Sequence, residues 1–257
     1  MKIVFEKTYF EVYDHTSAGE PGRLEPTYNA LKEDPDFIFV NPKMASEKEI
    51  ERAHSIRHIK EIKNEISNFK INLYDIAKLA AGGAIMCADI AKNGEPAFGL
   101  IRPPGHHASH DSCWGFCYFN NMAISLLHLR ETTDVKRAFI LDFDLHIGDG
   151  NIDILRKFND YEIFNPHANS EESYLNKVRD KLKNARDCDI IVASAGFDQG
   201  VGDWGNLLSP NAYFQIGTMM KEFAENRCGG RRYALLEGGY NFEKMAINIK
   251  AFCKGFK

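Results

Sequence analysis

Short apolar runs alternate with segments of helical apolar spacing along the chain. Apolar runs in segments 138–141, 189–195 and 232–236 predict strands buried on both faces, as in a parallel sheet. Between these runs, apolar residues recur at the three- and four-residue spacing of amphipathic helices. Strands that alternate with helices predict an α/β fold, a doubly wound, mostly parallel sheet flanked by helices on both faces.

Local signals predict several of the remaining elements. Ser46 and Glu49 form a capping-box pattern, which predicts one helix that continues to Ile62. The chain between the strands predicted at 2–5 and 37–40 is rich in glycine and proline, so we expect a loop there.

Polar side chains interrupt the apolar pattern directly after the run at 138–141. Asp142, Asp144 and His146 follow at alternate positions, which places them on one side of an extended chain. An unpaired buried carboxylate costs several kcal/mol, so this side needs a cation or proton donors. Carboxylate oxygen together with imidazole nitrogen suits a borderline divalent metal such as zinc. The alternative is that the aspartates cap the following helix.

A second polar stretch, RPPGHHASHDSCWGFCYFNN, occupies residues 102–121. Its prolines and glycine predict a rigid loop that presents His106 and His107, and histidine is the natural general base near neutral pH. Asp142 and Asp149 are available to orient and polarise these imidazoles. A predicted aromatic wall follows, with a glycine that lets a ligand approach the backbone: Trp114, Gly115, Phe116 and Tyr118.

Two more polar side chains come directly after predicted strands. Open parallel sheets bind ligands at the carboxyl ends of their strands. Asp198 comes just after the run ending at residue 195, and Tyr240 follows paired glycines after residue 236. A tyrosine there can donate its hydroxyl into a pocket, although packing is the commoner role. His54 and His58 have a metal-compatible spacing but no third ligand nearby, so we expect solvent-exposed or core histidines.

Composition narrows the class of protein. A chain of 257 residues favours a single α/β domain over residues 1–257. A net charge of −4 without a basic run argues against binding to nucleic acid. The chain has no leader-like amino terminus and no apolar run near the roughly 18 residues of a membrane span, which predicts a cytoplasmic protein. The six cysteines are expected to be thiols.

Five ordered motifs, RPPGHHA, WGFCYFNN, DFDLHIGDG, SAGFD and EGGYN, resemble the histone deacetylase and acetylpolyamine amidohydrolase family. The resemblance spans about residues 23–241 and indicates a short, prokaryotic-type member. It implies an arginase-like α/β fold and hydrolysis of acetylamides with one zinc ion per chain. The metal ligands implied by position are Asp144, His146 and Asp198.

The resemblance also implies roles for the other motif residues. His106 and His107 would be the tandem histidines, paired with Asp142 and Asp149 respectively. Tyr240 would be the catalytic tyrosine, and Gly115 and Phe116 would line the acyl channel. A structural potassium site would use Asp142 together with the backbone carbonyls of Asp144 and His146.

One departure from the family affects the predicted channel. The segment between His167 and Ser173 is short, where larger relatives insert a loop with a second channel-wall aromatic. We therefore expect a channel that is open on one side or completed by another subunit of a homo-oligomer.

The sequence thus predicts a zinc-dependent amidohydrolase that removes an acetyl or other acyl group from an amine such as an acetylpolyamine or acetyl-lysine. Two alternatives stay open. A non-catalytic acyl-amine binding protein would not require the proton-transfer residues. A binuclear ureohydrolase would need more carboxylates, and only Asp149 and Asp203 are spare. The sequence does not specify the acylated amine.

Overall fold

A seven-stranded parallel sheet forms the centre of the computed structural model, which describes residues 1–65 and 69–257. The strands are β1 (Lys2–Val4), β2 (Ile38–Val40), β3 (Ala97–Gly99), β4 (Ala138–Asp142), β5 (Tyr161–Phe164), β6 (Ile190–Ala195) and β7 (Arg232–Leu236). Their order is β2-β1-β3-β7-β6-β4-β5, and each neighbouring pair is parallel. The predicted α/β fold is confirmed, with a sheet that is parallel throughout the described strands.

The central strands are buried along their whole length. Every residue of β4, β6 and β7 is buried, as their apolar runs predict. In the register of β4 and β6, Leu141 lies opposite Ala193 and Asp142 lies opposite Ser194. The apolar run of β4 therefore ends with a carboxylate at the carboxyl edge of the sheet.

Helices cover the sheet in two groups. In one group α9 packs against α1 and α8, and α8 packs against α7; in the other, α4 packs against α3 and α5. The helices are α1 (Glu25–Lys32), α2 (Glu47–Ile50), α3 (Ile56–Lys63), α4 (Leu73–Ala91), α5 (Asn121–Thr132), α6 (Asp149–Leu155), α7 (Glu171–Lys183), α8 (Pro210–Arg227) and α9 (Phe242–Phe256). Among the described residues, no helix combines the length and apolarity needed to cross a bilayer.

Two local predictions were wrong. The single helix expected from Ser46 to Ile62 is divided into α2 and α3, because Ser55 caps a new helix by accepting a hydrogen bond from the His58 backbone N–H. The loop predicted between β1 and β2 contains α1, whose first turn holds Pro26, a position where proline fits a helix.

His54 and His58 are core residues that hold the loop carrying the tandem histidines. The backbone N–H of Asn120 donates to His54 Nε2 over 2.8 Å, and His58 Nε2 lies 2.8 Å from the carbonyl oxygen of Tyr118. Burial lowers the pKa of His54 to about 3, so its imidazole is neutral and can accept this hydrogen bond. The sequence left open whether His54 and His58 are exposed to solvent or lie in the core, and in the structure both are buried.

Candidate active site

Three residues that follow β4 and β6 form a cluster able to hold a metal ion. Asp144, His146 and Asp198 each place one ligand atom within 4.8 Å of the other two. His146 Nδ1 lies 3.2 Å from Asp144 Oδ1 and 3.3 Å from Asp198 Oδ2. Because β4 and β6 are neighbours, their carboxyl ends bring Asp198 next to two residues that are distant from it in sequence.

Glycines allow the two ligand-bearing loops to approach each other. A Cβ atom on Gly196 would lie 2.2 Å from Asp144 Oδ2. A Cβ atom on Gly238 would lie 2.6 Å from that oxygen and 2.7 Å from Asp198 Oδ2. The backbone N–H of Gly238 instead donates to Asp144 Oδ2 over 2.9 Å. Both positions therefore need glycine to keep the carboxylates together.

The charges of this cluster fit a divalent cation. Burial and the neighbouring Asp144 carboxylate raise the pKa of Asp198 to about 7. The adjacent carboxylates of Asp144 and Asp198 raise the pKa of His146 to about 10, so an imidazolium balances the two acids. Asp198 Oδ2 is buried without a hydrogen-bond partner in the described structure. A cation here would satisfy that oxygen and replace the imidazolium charge.

The tandem histidines lie beside the cluster, each next to a different aspartate. His106 Nδ1 lies 3.2 Å from Asp142 Oδ2, and His107 Nδ1 lies 2.7 Å from Asp149 Oδ1. Trp114 Nε1 donates to the other oxygen of Asp149 over 2.8 Å. With Nδ1 engaged, Nε2 of each imidazole is left for chemistry.

The two imidazoles have opposite charge preferences. Burial and the adjacent His106 lower the pKa of His107 below its usual value, against the effect of Asp149. Burial also opposes protonation of His106, but the Asp144 and Asp142 carboxylates outweigh it and raise its pKa well above the ordinary value. The lowered pKa of His107 favours its neutral imidazole, and the raised pKa of His106 favours its imidazolium.

Asp142 is held in place from several directions. The side-chain amide of Asn151 donates to Asp142 Oδ2 over 3.1 Å and to Ser194 Oγ over 3.0 Å, which ties the end of β4 to β6. The backbone carbonyl of Asp142 accepts from Asn165 Nδ2 over 3.3 Å. The potassium site that involves Asp142 stays a prediction.

Six aromatic rings besides that of His106 line a cavity of about 110 Å3 beside the cluster. Between ring centroids, Trp114 lies 3.9 Å from His107, and Trp204 lies 4.0 Å from Tyr240. The His146 ring lies near both pairs, with its centroid 5.9 Å from that of His107 and 6.1 Å from that of Trp204. We call this set the aromatic collar: Trp114, His107, His146, Trp204, Tyr240 and Phe116.

Tyr240 is fixed in the collar by its ring and by its backbone. Its ring meets the edge of Phe116 at 5.9 Å, and the guanidinium carbon of Arg23 lies 5.5 Å from its centroid. Its backbone N–H donates to Asp203 Oδ2 over 2.8 Å. Burial raises the pKa of the Tyr240 hydroxyl above its usual value, so the phenol stays protonated and can donate a hydrogen bond.

Gly115 and Phe116 form a tight turn against His107. Both have positive φ angles, 59° and 66°. A Cβ atom on Gly115 would lie 2.5 Å from His107 Cδ2, so only glycine lets the turn pack on the imidazole. The predicted channel residues therefore lie on the cavity wall, and Gly115 packs against the His107 imidazole.

Two residues that contribute to the site, Trp204 and Glu237, were not predicted from the sequence. Trp204 adds an aromatic wall to the channel that the sequence leaves open on one side. Glu237 is completely buried, and its Oε2 accepts hydrogen bonds from the backbone N–H groups of Gly105 and His106 at 2.6 and 3.1 Å. An acidic residue at the end of the apolar run of β7 was the signal that could have identified it.

Comparisons with known proteins agree on one family. The family model described as "Histone deacetylase domain" matches residues 17–181 and 166–256. A probable deacetylase from Archaeoglobus fulgidus is 29% identical over 295 residues, covering 94% of this chain and 81% of that protein. Histone deacetylase 14, chloroplastic, from Arabidopsis thaliana is 33% identical over 187 residues, covering 59% of this chain and 44% of the plant protein. This chain therefore matches less than half the length of the plant relative.

The fold agrees with the same assignment. The crystal structure of the HDA15 HD domain superposes with a TM-score of 0.82 at 22% identity, covering 98% of this chain and 88% of that one. This likeness confirms the predicted arginase-like α/β fold. Because the family model matches most of the residues between 17 and 256, we conclude that the chain belongs to the histone deacetylase family.

Proposed function

We propose that this protein is a zinc-dependent deacetylase that hydrolyses the amide bond of an N-acetylated or otherwise acylated amine. The observation that supports this most strongly is the position of the Asp144, His146 and Asp198 cluster beside the His107 and Asp149 pair. One proposed metal ligand, His146, then borders the same cavity as the candidate base His107 and the phenol of Tyr240. This is the set of groups that metal-assisted amide hydrolysis requires.

The metal ligands would be Asp144, His146 and Asp198. Two carboxylates and one imidazole match the ligand types of catalytic zinc sites, in which three protein ligands leave one position open. The chemistry that zinc supplies in such a site is polarisation of a carbonyl and a lowered pKa of a water molecule, to about 7.

His107 is the proposed general base. Its pKa is lowered, so the neutral imidazole prevails at neutral pH, and Asp149 holds the Nδ1 proton so that Nε2 can take a proton from the attacking water. Trp114 fixes Asp149 from the other side. The Asp149 carboxylate also stabilises the imidazolium that forms once His107 has accepted the proton.

His106 and Tyr240 act on the substrate amide. His106 lies beside Asp142, where it can deliver a proton to the amine nitrogen as the C–N bond breaks. The Tyr240 hydroxyl donates to the carbonyl oxygen as negative charge develops on it. One water and one amide thus give one carboxylate and one protonated amine, and the proton that His107 takes replaces the one that His106 gives.

Two other functions fit the contacts of this site less well. A binuclear ureohydrolase would need Asp149 and Asp203 as additional ligands, but Asp149 binds His107 and Trp114, while Asp203 accepts the N–H groups of Tyr240 and Asn241. A non-catalytic acyl-amine binding protein would gain nothing from a base with a lowered pKa, an oriented partner and a phenol donor around the same cavity.

The test is turnover by the zinc-loaded protein on two sets of substrates, acetylated polyamines and acetyl-lysine peptides. We expect release of acetate from at least one set, loss of activity on chelation, and recovery when one equivalent of zinc is restored. Saturable binding of these compounds without acetate release would favour the binding protein. A requirement for two tightly bound ions would favour the binuclear enzyme.

A further inference from the structure

Two cysteine sulfurs are in contact at the edge of the sheet opposite to the candidate active site. Cys188 Sγ and Cys228 Sγ lie 3.5 Å apart, although the two residues are 40 positions apart in the chain. Cys188 comes shortly before β6, and Cys228 lies between α8 and β7, so both are at the amino ends of the strands. The candidate metal cluster lies beyond the carboxyl ends, and the proposed hydrolysis makes no use of this pair.

An ion pair between the neighbouring residues holds the two thiols together. Arg227 directly precedes Cys228, and Asp187 directly precedes Cys188. Arg227 Nη2 donates to Asp187 Oδ1 over 3.0 Å and to the carbonyl oxygen of Ala185 over 2.9 Å. The end of α8 is thus tied to the segment that leads into β6, and the contact between the sulfurs is part of this junction.

A small molecule can reach one of the two sulfurs. Cys188 lines a cavity of about 280 Å3, whose wall also includes Arg137, Asp160 and Arg186. A water molecule takes up about 30 Å3 of the liquid, so a peroxide of a few atoms fits in this space. Cys228 is 3% exposed and lies behind Cys188, outside the cavity wall. The two thiols therefore differ in their access to solutes.

The two thiols also differ in reactivity. The thiolate is the nucleophilic form of cysteine. A hydrogen bond from the Cys228 thiol lowers the pKa of Cys188, and the backbone N–H of Phe139 and the charge of Arg227 act in the same direction, against the effect of burial. The same hydrogen bond raises the pKa of Cys228. Cys188 is thus suited to attack first, and Cys228 is placed to react with the product.

A bond between the sulfurs requires only a short movement. A disulfide holds its sulfurs about 2.0 Å apart, so the contact of 3.5 Å has to shorten by about 1.5 Å. The chain has room after Cys228, where Gly229 and Gly230 have positive φ angles of 59° and 82°. A Cβ atom on Gly229 would meet nothing within 4 Å. Rotation of the cysteine side chains with a slight shift at the end of α8 can therefore close the bond.

We propose that Cys188 and Cys228 form a redox-modification site, a reversible disulfide for which a hydroperoxide is the oxidant. This site is independent of the proposed deacetylase function. Intracellular disulfides of this kind are transient, because cellular thiols reduce them again.

The oxidation has two steps. The Cys188 thiolate attacks one peroxide oxygen and the O–O bond breaks, which leaves a sulfenic acid on Cys188. The other oxygen takes up the proton that Cys188 released and departs as water or an alcohol. The Cys228 sulfur then attacks the sulfenic sulfur, the S–O bond breaks, and the departing hydroxide takes the Cys228 proton to form water. Two thiols have lost two electrons, and the peroxide has gained them.

The first test maps the thiols of the intact chain after treatment with hydrogen peroxide. Remaining thiols are alkylated, and digested peptides are identified by mass spectrometry with and without reduction by dithiothreitol. We expect one pair of peptides linked through Cys188 and Cys228, which dithiothreitol separates. Alkylation of both residues after peroxide treatment, or a linkage between Cys113 and Cys117 in place of this one, would overturn the inference.

The second test uses single substitutions to separate the two steps. In C228S the sulfenic acid on Cys188 has no partner, so dimedone should label it, whereas C188S should show loss of both the linked peptides and the dimedone label. C253S removes a buried thiol of α9 and should form the linkage as the parent does. Absence of the dimedone label from Cys188 in C228S, or a label on Cys228 in C188S, would contradict the assignment.

Discussion

The Nδ1 atom of His107 lies 2.7 Å from Asp149 Oδ1, and the same carboxylate raises the His107 pKa that burial and His106 lower. In the proposed reaction the neutral imidazole is active, so activity falls as the pH drops through this pKa. Removing the Asp149 charge removes the interaction that raises the pKa of His107. The pKa of His107 then decreases further, and the acid limb moves to lower pH.

D149N is therefore expected to shift the acid limb of the kcat/KM profile to lower pH and to reduce its plateau, since the imidazolium formed during the reaction loses its partner. The measurement is kcat/KM against pH for the parent, D149N and D180N; Asp180 is an exposed residue of α7. D180N should match the parent. A shift of the D149N limb to higher pH would show that Asp149 does not act through His107 in this way.

H107A and Y240F should remove most of the turnover and leave the metal bound, because neither residue is a proposed ligand. We expect a decrease in kcat of about 100- to 10,000-fold for loss of the base and about 100- to 1,000-fold for loss of the oxyanion donor. Zinc content should equal that of the parent. The control is H167A, which alters an exposed histidine after β5. Parent-like activity in either variant would remove the role assigned to that side chain.

E237A should lower both stability and turnover. The substitution leaves the buried N–H groups of Gly105 and His106 without their acceptor, at a cost of about 2 to 5 kcal/mol in the free energy of unfolding. The loop carrying His106 and His107 then loses its anchor. Urea unfolding and kcat measure the two effects, with E243A on the surface of α9 as the matched control. Unchanged stability would indicate that the loop is held by other contacts.

The strands that build the site were predictable because each is a short apolar run buried on both faces. The β7 bounds agree with the prediction, and β6 begins one residue later than expected, at Ile190. Helix boundaries were less predictable. The apolar spacing continues across the break between α2 and α3, while the hydrogen bond from the His58 N–H to Ser55 that starts α3 depends on a local backbone conformation.

Proximity within the site was partly predictable for a topological reason. Residues at the carboxyl ends of neighbouring parallel strands must meet, and β4, β6, β7 and β3 are neighbours. The structure brings together the side chains singled out at the ends of these strands. The contribution of Trp204 could not be predicted, because its stacking on Tyr240 connects two loops whose relative position no local pattern encodes.

The most direct test of the whole account is the zinc content and turnover of D198A. Asp198 supplies a buried oxygen to the cluster, so its loss should leave too few ligands for tight binding. D203N is the matched control, because Asp203 lies in the same loop as Asp198 but accepts hydrogen bonds from the backbone N–H groups of Trp204, Tyr240 and Asn241 and is not part of the cluster. We predict one zinc per chain in the parent and in D203N, and no retained zinc and no acetate release in D198A. Parent-like zinc content in D198A, or hydrolysis by a metal-free protein, would contradict the account.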